Sequence, residues 1–154
     1  MEIQITLQHP TKKTDPARIR RKLGRILRDL GYPKAELSLV FTDDEHIAEL
    51  NRRYLNRDGP TNVLAFPMTD ATQPDLHTSM LGDIVISLDA AIRDAQGLGE
   101  SFEETVDRLL IHGLLHLLGY EHEGSAQEAQ RMEEETERLL DMMARSDAFN
   151  IRSR

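Results

Sequence analysis

Apolar and polar residues alternate at the start of the chain. Ile3, Ile5 and Leu7 are separated by polar neighbours, a period of two that predicts a strand over 2–7. The period then lengthens. After Asp15-Pro16, a pair suited to an N-cap and first helical position, apolar residues fall at Ile19, Leu23, Ile26, Leu27 and Leu30. This predicts a helix that Gly31 stops, with a second strand at Leu37–Phe41. Thr42-Asp43-Asp44-Glu45 has the form of a capping box and predicts a helix from about Asp43 to Tyr54. Asp58-Gly59-Pro60 reads as a turn, and Asn62–Phe66 as a strand closed by Pro67.

Residues 68–80 show no period and contain Pro74, the pattern of a long loop. Leu81–Ile86 is the fourth predicted strand, followed by a helix over about Leu88–Gln96 that Gly97 and Gly99 close. Ser101-Phe102-Glu103-Glu104 and Ser125-Ala126-Gln127-Glu128 are further capping boxes. The first opens a helix to Leu118 with Gly119 at C′. The second opens a last helix to about Met143, after which the chain is expected to fray. The prediction is one α+β domain over 1–154, a small mixed four-stranded sheet surrounded by about five helices.

Composition narrows the chemistry. A chain of 154 residues with 39% hydrophobic and 30% charged residues suits one soluble core. Cysteine is absent, which removes disulfides, thiolate metal sites and a cysteine nucleophile and makes a reducing cytoplasm the expected location. No apolar run approaches the ~18–20 residues of a membrane span, so no membrane partner is expected, and the N-terminus lacks a signal-peptide core. The net charge is −8, unevenly placed: residues 1–60 sum to +3 and residues 61–154 to −11. A basic front on an acidic body can still hold a polyanion locally. Arg18, Arg21, Arg25 and Arg28 fall opposite Leu23 and Leu27, either as a solvated face or as a contact for RNA or an acidic protein.

The histidines carry the strongest signal. Leu109–Gly119 is apolar on nearly every face, the mark of a central helix, yet it holds His112 and His116. Four residues apart, they lie on one face about 6 Å apart along the axis, so two imidazoles can converge on one cation. Two unpaired buried imidazoles would be costly. Gly119 can turn the chain back and bring His122 to the same ion as a third ligand. Three protein ligands leave one position for water, as in catalytic zinc sites. Gly113 stands where helical zinc peptidases carry their Glu base, which weakens a peptidase reading. Gly113 itself fits either close helix–strand packing or space for a substrate. His9, His46 and His77 lack such context and are expected at the surface.

The run His112-Gly113-Leu114-Leu115-His116-Leu117-Leu118-Gly119-Tyr120-Glu121-His122 closely resembles the H-G-x-L-H-L-x-G-Y-D-H signature of the YbeY family, bacterial metal-dependent endoribonucleases of ribosomal RNA maturation. Gly59–Pro67 resembles the family's P-T-D/N-V-L-S-F-P stretch and Leu81-Gly82-Asp83-Ile84 its L-G-D-I strand. The resemblance implies one zinc ion on His112, His116 and His122, single-stranded RNA as substrate, and a cytoplasmic role in 16S ribosomal RNA 3′-end processing and ribosome quality control. It implies the small ribosomal subunit or a ribosomal protein as partner.

Three positions depart from the pattern: Glu121 replaces Asp, Ala65 replaces Ser, and Leu55 stands where the family often has Arg after the Tyr matched by Tyr54. Arg57, in the following turn, is the candidate to bring a guanidinium to that place, with Arg52 and Arg53 nearby. Asp83 and Glu121 are candidates to orient a ligand histidine or a water. The competing readings are an assembly factor that keeps zinc for stability and a zinc hydrolase of peptide or amide bonds.

Overall fold

A computed structural model describes residues 1–68, 80–120 and 125–152, with the backbone alone for 146–152. Among these residues the chain runs β1 (Glu2–Leu7), α1 (Pro16–Asp29), β2 (Glu36–Thr42), α2 (Asp44–Leu55), β3 (Val63–Pro67), β4 (Met80–Ser87), α3 (Leu88–Leu98), α4 (Phe102–Leu117) and α5 (Ala126–Arg152). The strands form one sheet in the order β1-β2-β4-β3. β1 pairs parallel with β2 and β2 with β4, Leu39 opposite Ile84. β3 closes the edge antiparallel to β4, Ala65 opposite Ile84. The expected α+β architecture is what the chain adopts.

One face of the sheet is packed throughout; the other is covered mainly at β4 and β3, while β1 keeps Glu2, Gln4 and Thr6 exposed. The main cluster joins Leu23 and Leu27 of α1, Leu39 and Ile84 of the sheet, Leu110 and Leu114 of α4, and Leu139 and Met143 of α5. Alternation along β4 sends Val85 to the other face, where it meets Ile47 of α2 and Leu64 of β3. α4 lies directly on β4. A Cβ at Gly113 would come within 2.7 Å of Ile84 Cγ2, so the packing explanation for this glycine holds.

Helix ends follow local chemistry. Asp15, Ser87 and Ser101 each cap a helix by accepting from the backbone N–H three residues on. Ser125 does the same for Glu128 N–H. The start of α2 differs from expectation by one residue: Asp43, not Thr42, is the cap, accepting from His46 N–H at 2.9 Å. Thr42 is the last residue of β2 and buried there. α3 runs through Gly97 and ends at Gly99. α5 continues well past Met143, to Arg152. The predicted loop over 68–80 falls mostly outside the described residues.

Two polar clusters tie helices to this frame. Arg18 of α1 donates to both carboxylate oxygens of Asp107 on α4, at 3.2 and 2.9 Å, and the buried Lys22 adds a third bond at 3.4 Å. Burial pushes the Asp107 carboxyl above its ordinary range, while Arg18 and Lys22 oppose that shift. Arg18 therefore leaves the exposed basic face expected of it, which keeps Arg21, Arg25 and Arg28. The second cluster corrects His9. Its side chain is only 6% exposed, with Nε2 at 2.8 Å from Asp89 Oδ1. Lys12 N–H donates to Nδ1, so Nε2 carries the proton toward Asp89. Asp89 also accepts from Asp44 N–H, and Asp44 accepts from Ser87 Oγ and Arg93. This network pins the start of α2 to the β4–α3 junction.

Two outcomes test the frame. Gly113→Ala gains helix propensity worth about 1 kcal/mol, but overpacking against a β-branched methyl costs ~1–3 kcal/mol. A net loss is expected in the denaturant midpoint, smaller when Ile84→Ala is already present; a stabilised single variant would contradict the packing. The Arg93 contact with Asp44 and the His9 contact with Asp89 hold both carboxyls below their ordinary value of 3.8. The unfolded chain thus takes up protons first, so this stability is fully present above pH ~4 and is lost as pH falls below that, through the lower folded values. Asp44→Asn should lower the melting temperature at neutral pH and flatten its acid limb. Parallel curves for parent and variant would count against the network.

Candidate active site

The face of α4 that carries both histidines is left partly open by the core. Residues 109–111, 113–115 and 117 of α4 are buried, while His112 and His116 are half-buried. Both line a cleft of about 970 Å³. Its floor is α4, with Arg108 one turn before His112 in the same row. Val63, Ala65 and Pro67 of β3 form one wall. The other wall is one face of α5, with Met132, Glu133, Thr136 and Glu137. Beyond α4, Gly119 adopts a φ of +97°, the left-handed turn expected at C′, and Gly119 and Tyr120 close that end.

The opposite end belongs to α2 and its exit. Leu55 is 44% exposed and lines the cleft. Asn56 then takes a left-handed conformation, φ 53°, which Asn tolerates better than most residues. That turn sends Arg57 into the cleft lining. The turn is held by the buried Asn51, whose Nδ2 donates to Gly59 O at 3.0 Å and whose carbonyl accepts from Arg57 N–H at 3.3 Å. Among the described residues, the Arg57 side chain has no hydrogen-bond or ion-pair partner. Tyr54, just outside, meets Phe66 edge-on at 5.6 Å between ring centroids.

The cleft therefore brings together His112, His116 and Arg57, three of the residues singled out by sequence. Asp83 is not among its lining residues. It shares the Val85 side of β4, away from Ile84 and α4, with Phe66 as its cross-strand neighbour. Glu121 and His122 lie outside the described residues. Ala65 does face the cleft, so the hydroxyl of the family's Ser is missing from the wall itself. Leu55 also faces the cleft, and an arginine there would reach it.

Arg108 and Asn51 escaped sequence reading. Arg108 had a signal, since it precedes His112 by the four residues that separate the histidines. Asn51 had none, because its task is a bond to a turn eight residues away.

The donor set suits a metal ion as far as it is described. Two imidazoles one turn apart on a rigid helix, opening into one cleft, are the geometry of an i, i+4 metal pair. Among the described residues no group of three His, Asp or Glu is arranged to hold an ion. A closed set therefore needs a further donor outside the described residues, where the sequence expectation places His122.

The model of the family "Endoribonuclease YbeY" matches residues 4–144. An endoribonuclease YbeY of Geobacter metallireducens is 41% identical over 146 residues, covering 94% of this chain and 97% of its own. Another, from Syntrophotalea carbinolica, is 45% identical over 132 residues, covering 85% and 88%. A protein of Thermotoga maritima solved in solution shares the fold, with a TM-score of 0.67 at 24% identity over 96% of this chain and 93% of its own. On the family match and the identity of these relatives over nearly their whole length, the chain belongs to the endoribonuclease YbeY family.

Proposed function

We propose that this chain is a single-strand-specific, zinc-dependent endoribonuclease acting in 16S ribosomal RNA 3′-end maturation and ribosome quality control in the cytoplasm. The observation that carries the reading is one cleft lined by His112, His116 and the guanidinium of Arg57, in a member of an endoribonuclease family. His112, His116 and His122 would hold the metal. When bound, the ion supplies a Lewis acid that draws charge from a phosphoryl oxygen.

The chain's own residues do the rest. Gly113 lets α4 sit close on Ile84, which seats His112 and His116 on the floor of the cleft. Arg57 offers a planar fork to the non-bridging oxygens, where charge grows during cleavage. Its lack of a competing carboxylate among the described residues leaves that fork available. Glu121 would orient a ligand histidine or a water. Asp83, on the far side of β4, would act only through the strand. The peptidase reading lacks a base on α4, because Gly113 fills the Glu position and is pressed against Ile84.

No described helix is long and apolar enough to cross a membrane. The small ribosomal subunit or one of its proteins is the proposed partner.

The direct test is cleavage of single-stranded RNA, duplex RNA and casein by the purified protein. Cleavage confined to single-stranded RNA supports the reading; intact RNA with digested casein would reverse it. Metal binding should also stabilise the fold. A ligand a hundredfold above its dissociation constant adds about 2.7 kcal/mol, or roughly 5–10 °C in melting temperature for a chain of this size. An unchanged melting temperature after verified chelation would argue against a metal on α4.

Arg57→Ala should keep its metal and bind RNA nearly normally while kcat falls ~10²–10³-fold, because the lost contact belongs to the transition state. Leu55→Arg in that background should restore part of the rate. Arg57→Lys should rescue poorly, since ammonium lacks the fork. Parental cleavage by Arg57→Ala would make Arg57 an ordinary turn residue.

A further inference from the structure

Arg108 stands in the same row of α4 as His112 and His116, and its side chain lines the same cleft. About 6 Å of helix rise separates it from His112. Its guanidinium is held on two unlike sides. Nε and Nη2 donate to Glu100 at 3.4 and 3.2 Å. Glu100 is 13% exposed and is itself fixed by Thr105 Oγ1 at 2.9 Å. Nη1 donates at 3.4 Å to Glu137, a cleft residue of α5 that is 66% exposed. The first side is a shielded anchor. The second is a long, solvent-facing ion pair of the kind that contributes little and exchanges readily.

We propose that Arg108 is a phosphate-binding residue, anchored by Glu100 and surrendered by Glu137 when single-stranded RNA enters the cleft. The inference rests on the endoribonuclease reading. Glu137 acts as a stand-in anion that keeps Nη1 aimed into the cleft, and a phosphate oxygen takes its place with a shorter charge-assisted bond. The phosphate held there neighbours the one at the histidines and is not itself cleaved. Its contact is equal in ground and transition states, so Arg108 acts on KM, in contrast to Arg57.

The test is the affinity of a short 2′-O-methyl RNA, read by fluorescence anisotropy across a salt series. The proteins are the parent, Arg108→Gln, Glu137→Gln and the double variant, with cleavage of unmodified RNA recorded in parallel. Arg108→Gln should weaken binding about tenfold, the scale of one charged hydrogen bond, and raise KM in step. It should also reduce the slope of log affinity against log salt by about 0.7, one phosphate contact on a single strand. Glu137→Gln should tighten binding up to about fivefold, and that gain should vanish in the Arg108→Gln background.

Unchanged affinity and slope in Arg108→Gln would overturn the proposal. So would an equal gain from Glu137→Gln with and without Arg108, the result expected if Glu137 acts only through the general field. Should Arg108→Gln prove unstable, Glu137→Gln, an exposed change, decides alone: no tightening overturns the assignment. A parent protein that binds the oligonucleotide through Arg108 but leaves RNA intact would instead defeat the endoribonuclease reading.

Discussion

The contact between Gly113 and Ile84 sets how deeply α4 lies on the sheet, and the site depends on it. With no Cβ at position 113, the helix backbone reaches the β4 side chains directly. His112, one residue away, is thereby turned along the cleft between β3 and α5, and His116 follows a turn later. The Arg18–Asp107–Lys22 cluster holds the first half of the same helix to α1. An apolar core on three sides thus supports one polar row, and rigid support is what a metal or phosphate site needs to keep its geometry.

Charge in the cleft is divided between its walls. The α4 floor and the α2 exit contribute Arg108 and Arg57, whereas α5 contributes Glu133 and Glu137. On the proposed function, this division would draw a polyanion toward the histidine row and away from the outer wall. The acidic net charge of the chain is compatible with RNA binding for this reason: the arginines are local and the excess carboxylates lie mainly elsewhere.

Much of this was legible in the sequence, for identifiable physical reasons. The i, i+4 histidines in an apolar helix, the left-handed turn at Gly119 and the caps at Asp15, Ser101 and Ser125 are local patterns, and each behaves as its neighbours dictate. The Asp43 cap was displaced by one residue because pairing with β4 extends β2 through Thr42, a tertiary preference that overrides the local motif. His9 and Arg18 were misplaced for the same reason. Their partners, Asp89 and Asp107, are 80 and 89 residues away in the chain, and no local pattern records such a distance. Asp83 illustrates a subtler limit: its neighbours in sequence mark the strand, but only the packing of Ile84 on α4 tells which face it takes.

On the proposed function, RNA cleavage in this cleft depends on a metal held by the α4 histidines. That dependence is tested most directly by titrating a chelator and measuring bound metal and single-stranded RNA cleavage on the same preparations. The rate should fall in proportion to bound metal, reach the uncatalysed level at zero occupancy, and return when zinc is restored. A cleavage rate that persists after the last metal has been removed would contradict it.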